Sequence, residues 1–130
     1  MKKVLYVRIL QAIYGCIESA LLWYQLYVKT LKVMGFKLNP YDRCVANKMI
    51  NGKQCTIAWY VDDNKISHAD PDVVTSVLGT VKEHFGEIVI SRGNQHDLLG
   101  MKIGLDHMNK HIIIDMEGRL EEALEMFGEK

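Results

Sequence analysis

The sequence predicts an α+β fold: an antiparallel sheet of hairpins with helices on one face. Three observations predict it. Asn51-Gly52 joins two runs of strand-forming residues, 43–50 and 53–60, and Asn-Gly suits a two-residue hairpin turn because both positions need φ > 0. The second run returns through residues 64–68 around Val61-Asp62, so a further hairpin follows at once. Two segments with apolar residues at helical spacing, 19–34 and 71–85, flank these strands.

In the first 18 residues Leu5, Val7 and Ile9 alternate with Tyr6, Arg8 and Leu10, which fits either a strand or the apolar flank of a helix. Gly15 breaks the pattern. Ser19 is the expected N-cap of the first helix, Ala20, Tyr24, Tyr27, Val28, Leu31 and Met34 its apolar stripe, and Gly35 its end. The aromatic residues on that stripe suit a buried core face rather than a base-stacking platform. Asn39-Pro40-Tyr41-Asp42 is a loop into the hairpins.

Asp70-Pro71-Asp72 opens the second helix. Asp70 caps, Pro71 takes the first helical position, and Asp72 complements the helix dipole. Val74, Val77, Leu78, Val81 and Phe85 form the expected buried stripe, ended by Gly86. Residues 87–90 are expected as a short strand, Arg92-Gly93-Asn94 as a loop, 98–105 as a strand, 107–110 as a turn and 111–115 as a strand. The last segment is amphipathic, with Met116, Leu120, Ala123, Leu124 and Phe127 on one face and Glu117, Glu121, Glu122 and Glu125 on the others. There are no repeats and no sign of an internal boundary.

The chain has 130 residues, enough for one domain, and a 48% hydrophobic, 25% charged composition typical of globular proteins. No apolar run approaches the roughly 20 residues that cross a bilayer, and no signal-peptide pattern opens the chain. The expectation is an intracellular protein, cytoplasmic or nuclear, with no membrane partner. Sixteen basic and sixteen acidic residues cancel. Autonomous nucleic-acid binders usually carry a basic surplus, so either the basic residues cluster on one face or the grip on nucleic acid lies elsewhere. Of the three cysteines, an Asn51-Gly52 turn sets Cys55 opposite Lys48 and Cys44 opposite Trp59, which separates them and predicts free thiols. His107 and His111 have a zinc-type spacing for a helix, but on a hairpin they do not converge.

The chemistry-bearing stretch is Tyr60-Val61-Asp62-Asp63. With Val61 and Asp62 as the turn, Tyr60 faces Asp63 and two carboxylates crowd one tip. A divalent cation such as Mg²⁺, which takes oxygen ligands and shares them with phosphates, would relieve that repulsion. The plain alternative is that Asp is a common turn residue.

Tyr-Val-Asp-Asp resembles the signature of the reverse transcriptase palm, and its surroundings resemble the Ty1/copia retrotransposon type. The supporting residues are Ala12-Ile13-Tyr14-Gly15 followed by Trp23-Tyr24, then Met34-Gly35-Phe36, Asp42 and Cys44, and Asn51-Gly52. After the hairpin come Phe85-Gly86 and Leu98-Leu99-Gly100-Met101-Lys102-Ile103. The resemblance runs from about Ile9 to Phe127 in the family's order.

The resemblance implies a partial palm on a split βαβ, ferredoxin-like plan, its first strand missing or borrowed from residues 4–10. It divides the chain into an entry from absent fingers (1–18), a palm core (19–92) and a palm-to-thumb junction (93–130). It implies RNA-directed DNA polymerase chemistry, nucleotidyl transfer with two Mg²⁺ ions. Asp62 and Asp63 would be catalytic metal ligands, and Tyr60 and Val61 would contact the primer-template and nucleotide. The hairpin with Lys102 would support the primer end. An RNA/DNA primer-template is the implied partner of the complete enzyme.

The family's third carboxylate lies on a strand before the Tyr-Gly run, and here no Asp or Glu precedes Glu18. Cys16-Ile17-Glu18-Ser19-Ala20 also replaces a family stretch with Lys and Gln. The expectation is a palm fragment, inactive as an isolated chain, from an incomplete or decayed element. The alternative is a non-catalytic palm-derived module that binds a partner or self-associates through uncovered apolar surface. An unrelated metal-binding α+β domain would require the ordered resemblance to be coincidence.

Overall fold

The computed structural model describes residues 15–128 together with Arg8, Leu10, Ala12 and Ile13. It is mixed α+β, with three helices and two antiparallel sheets among the described residues. Residues 4–7 and 9, on which a first strand could form, lie outside the described residues.

The first helix, α1 (Ile17–Val33), begins two residues earlier than expected. Ser19 is not its cap. Cys16, in extended conformation, holds that position without a side-chain bond, because left-handed Gly15 (φ 89°) turns the chain into the helix there. Ser19, now inside the first turn, donates its hydroxyl to the Ile13 carbonyl at 2.7 Å. The other end follows the sequence. Gly35 (φ 85°) donates to Lys32 O and Phe36 donates to Leu31 O, a paired closure that needs a residue free to enter the left-handed region. Lys48 Nζ adds a bond to the Met34 carbonyl at 2.7 Å.

Four strands follow: β1 (Lys37–Leu38), β2 (Val45–Ile50), β3 (Lys53–Tyr60) and β4 (Asp63–Ser67). They form one antiparallel meander in the order β1-β2-β3-β4. Asn51 (φ 51°) and Gly52 (φ 72°) are both left-handed, so the turn is the mirror-image type that matches strand twist. The resulting register pairs Lys48 with Cys55, and in the next hairpin Tyr60 pairs with Asp63, both as expected. Cys44 O accepts from Trp59 N, and all three cysteines are free, Cys55 being fully buried.

Alternation along β3 aims Cys55, Ile57 and Trp59 inward. They join Ala46 of β2, Tyr27, Val28 and Leu31 of α1, and Val73 and Val77 of α2 (Pro71–Phe85) in a single core. Both helices therefore cover one face of this sheet, as predicted. Asp70 caps α2 by accepting from Asp72 N at 2.9 Å. Its buried row is Val73, Val77 and Val81; Val77 and Val81 are as expected, Val73 replaces Val74, and Val74, Leu78 and Phe85 are half-buried. The i, i+4 valines meet the sheet and rotate the others to the rim.

The second sheet is a meander of β5 (Gln95–Leu98), β6 (Met101–Asp106) and β7 (His111–Asp115). Two expectations are corrected here. Residues 87–90 form no strand: Glu87 pairs with Lys82 at 3.0 Å as α2 ends, and among the described residues no strand meets the exposed Val89. The single strand expected over 98–105 is two, because Leu99 (φ 56°) and Gly100 (φ 72°) make a tight turn with Leu98 opposite Met101. The apolar residues of β7 and of α3 (Glu117–Phe127) stay largely uncovered, including Ile112, Ile114, Leu120 and Phe127.

Candidate functional site

β3 and β4 close with Tyr60 opposite Asp63, leaving Val61 and Asp62 as the two turn residues. Val61 has φ 50°, while Asp62 is not left-handed. Turns with φ > 0 at the first position normally place Gly there. For a β-branched residue the conformation costs about 1–2 kcal/mol, so the strain expected at Val61 is present.

The tip is tied to α1. Trp23 Nε1 donates to the Val61 carbonyl at 3.2 Å. Asn64 Nδ2 donates to the Asp62 carbonyl at 3.2 Å, and Asn64 Oδ1 accepts from the Tyr27 hydroxyl at 2.6 Å. Trp23 stacks on Tyr27 with centroids 5.5 Å apart and meets the edge of Phe85 at 5.1 Å. Tyr27 in turn meets Trp59 edge-on at 5.2 Å. Burial pushes the Tyr27 hydroxyl up to about 12, which keeps it a neutral donor.

The sequence did not reveal Trp23, Tyr27 or Asn64 as parts of this site. They couple to the tip across 38 and 37 residues, where no spacing rule operates, and the helical stripe marked Tyr27 only as core.

The ladder places Tyr60 and Asp63 together on the sheet face away from the helices. Asn47, Gln54 and Thr56 share that face and bond to one another: Thr56 Oγ1 donates to Asn47 Oδ1 at 2.8 Å, and Gln54 Nε2 reaches both. Toward the Asn51-Gly52 end of that face the sheet thus presents a polar platform. Tyr60, Val61, Asp62 and Asp63 are all exposed.

Among the described residues neither Asp62 nor Asp63 has a carboxylate engaged in a hydrogen bond or ion pair, and no group of three or more His, Cys, Asp or Glu side chains converges. The donors are hard oxygens, which suit Mg²⁺. Two carboxylates from one turn do not complete a two-metal site, which needs a further ligand from a different element. His107 and His111 flank the β6–β7 loop and gather no third ligand among the described residues.

The chain is 25% identical over 130 residues to the Retrovirus-related Pol polyprotein from transposon TNT 1-94 of Nicotiana tabacum. The match covers 99% of this chain and 10% of that polyprotein, so the chain spans about a tenth of the length of the curated relative it matches. No family model matches the chain. No solved structure matches it significantly. No helix among the described residues is long and apolar enough to cross a membrane. The similarity is to a transposon Pol sequence, which agrees with the retroelement resemblance of the motifs at that level.

Proposed function

We propose that this chain is part of the palm of a copia-type reverse transcriptase, with Asp62 and Asp63 as two of its metal-holding carboxylates. The observation that carries this is the Tyr60–Asp63 hairpin, a strained turn that lifts two carboxylates, unpaired among the described residues, to an exposed tip. The similarity of nearly the whole chain to a transposon Pol polyprotein supports the same reading. So does the distribution of charge. Residues 1–68 carry ten Lys and Arg against four Asp and Glu, two of the four being Asp62 and Asp63. The half that bears the tip therefore has the cationic surplus that a phosphate backbone favours, although the whole chain is neutral.

On this reading Mg²⁺ at the tip would neutralise phosphate charge and activate a primer hydroxyl, in concert with ligands that this hairpin does not supply. Tyr60 and Val61 lie against the primer-template, and the Asn47–Gln54–Thr56 platform lies alongside it. Residues 93–130 lead from the palm toward a thumb.

The test uses Mn²⁺ as a paramagnetic substitute for Mg²⁺. Titrated into the 130-residue chain, it should broaden the amide resonances of residues 60–64 first, and Asp62→Asn should abolish that selectivity. Broadening centred elsewhere overturns the assignment. In a primer-extension assay on an RNA template the isolated chain should extend nothing. Robust extension lost in Asp62→Asn would show that it carries a complete site.

A second reading rests on the uncovered Ile112, Ile114, Leu120, Leu124 and Phe127, which suit a non-catalytic module that binds a partner or a second copy. Concentration-dependent association in sedimentation, weakened by Leu124→Glu, favours it.

A further inference from the structure

We infer that Trp23 and Tyr27 of α1, acting with Asn64 of β4, are positioning residues that decide where Asp62 and Asp63 stand. The functional meaning of this rests on the proposed role of the two carboxylates; the structural part does not.

The Val61 carbonyl belongs to the peptide plane before Asp62, and the Asp62 carbonyl to the plane after it. Each has its own donor. The Trp23 indole holds the first at 3.2 Å and the Asn64 amide holds the second at 3.2 Å. With both planes fixed, the Asp62 α-carbon between them has little freedom left. The Asn64 amide is in turn fixed through its oxygen by the Tyr27 hydroxyl at 2.6 Å.

Of the three, Tyr27 is buried, Trp23 half-buried and Asn64 exposed, so the anchor is Tyr27 and its ring neighbours. Tyr27 is 1% exposed and is flanked by Trp23, Trp59 and Phe85 at 5.1–5.5 Å spacings within this ring cluster. Asn64 stands opposite Trp59 in the ladder, on the helix-facing side. The polar ends of Trp23 and Tyr27 thus both reach from a packed aromatic cluster to the hairpin end.

What they restrain is strained. Val61 is held at φ 50°, where a β-branched side chain is disfavoured and Gly is the usual occupant. A strained turn persists only when its surroundings over-determine it. Those surroundings here are the three side chains. The tip is therefore pre-organised from α1, and substitutions there should displace the carboxylates without touching them.

The experiment compares Trp23→Phe, which keeps an aromatic ring in the cluster and removes the indole N–H, in the natural sequence and in a Val61→Gly background. Glycine adopts φ 50° unaided, so there the clamp becomes dispensable. In the natural sequence Trp23→Phe should shift the amide resonances of residues 61–63 and change the Val61 backbone coupling constant, while the Asn51-Gly52 turn stays unmoved. Mn²⁺ affinity at the tip should fall about fivefold as the competent conformer is depopulated. In the Val61→Gly background both effects should shrink to less than half.

Equal effects in the two backgrounds, or tip resonances indifferent to Trp23→Phe, overturn the inference, because a mere packing role would act alike in both. Tyr27→Phe provides the same comparison should Trp23→Phe fold poorly. If the natural chain binds no Mn²⁺ at the tip, the metal reading fails while the resonances still decide the clamp.

Discussion

The Arg119 guanidinium fills the space that a β-carbon on Gly100 would need, and its Nη2 donates to the Leu99 carbonyl at 3.2 Å. α3 is thereby pinned to the β5–β6 turn at a glycine, where no side chain stands in the way. Gly100→Ala should cost about 1–2 kcal/mol, chiefly because φ 72° is unfavourable for an L side chain. Arg119→Ala, losing one exposed bond, should cost less than about 1 kcal/mol. The displaced arginine makes the two effects overlap, so urea unfolding of the double variant should show less than their sum.

Tyr27 makes stability fall in alkali. Its hydroxyl is raised to about 12 in the fold against about 10 in the unfolded chain. Between those values the unfolded state loses a proton that the native state keeps, so stability declines as pH rises, by up to about 1.4 kcal/mol per pH unit from this group. Denaturation curves between pH 9 and about 12 should show the decline, and Tyr27→Phe should remove its share.

Asp106 behaves in the opposite sense. Its carboxylate accepts from the Asn109 backbone at 3.0 Å and from the Asn109 amide at 2.8 Å, and these bonds hold its pKa below the usual carboxylate value. Its contribution to the β6–β7 loop is present above the unfolded pKa and lost as pH falls through the lowered folded one. An NMR titration of Asn109→Ala should find the Asp106 pKa moved upward.

Asp62→Asn should leave stability within about 0.5 kcal/mol of the natural chain, or slightly higher, because it removes like-charge repulsion and breaks no bond among the described residues. Thermal unfolding of the two proteins side by side checks this. A loss above about 2 kcal/mol would mean that the carboxylate has a structural partner.

Much of the first sheet was legible because its signals are local. Asn51-Gly52 dictates a turn whose register places Lys48 against Cys55, and the two-residue connection Val61-Asp62 places Tyr60 against Asp63. Asp70-Pro71 and Gly35 likewise mark helix ends with the residues that make them. The second sheet was harder to read. Leu99 supplies no turn signal, since leucine rarely takes φ 56°, and the arginine that compensates lies twenty residues further on. Ser19 failed as a cap for a similar reason: Gly15 had already set the start of the helix. At the tip the sequence displayed the carboxylates and even the strain at Val61, but not the α1 side chains that restrain it. A hydrogen bond between residues 23 and 61 leaves no periodic trace in a sequence.

The meander layout of both sheets has a kinetic consequence. Every strand pairs with its neighbour in sequence, so each hairpin closes a short loop and needs nothing distant to nucleate it. The ladders should zip early, on the microsecond scale of isolated hairpins. The Trp23 and Tyr27 bonds, which close loops of nearly forty residues, should form last. In refolding, indole fluorescence would then lag behind sheet formation, and the carboxylate tip would be the final part of the molecule to acquire its shape.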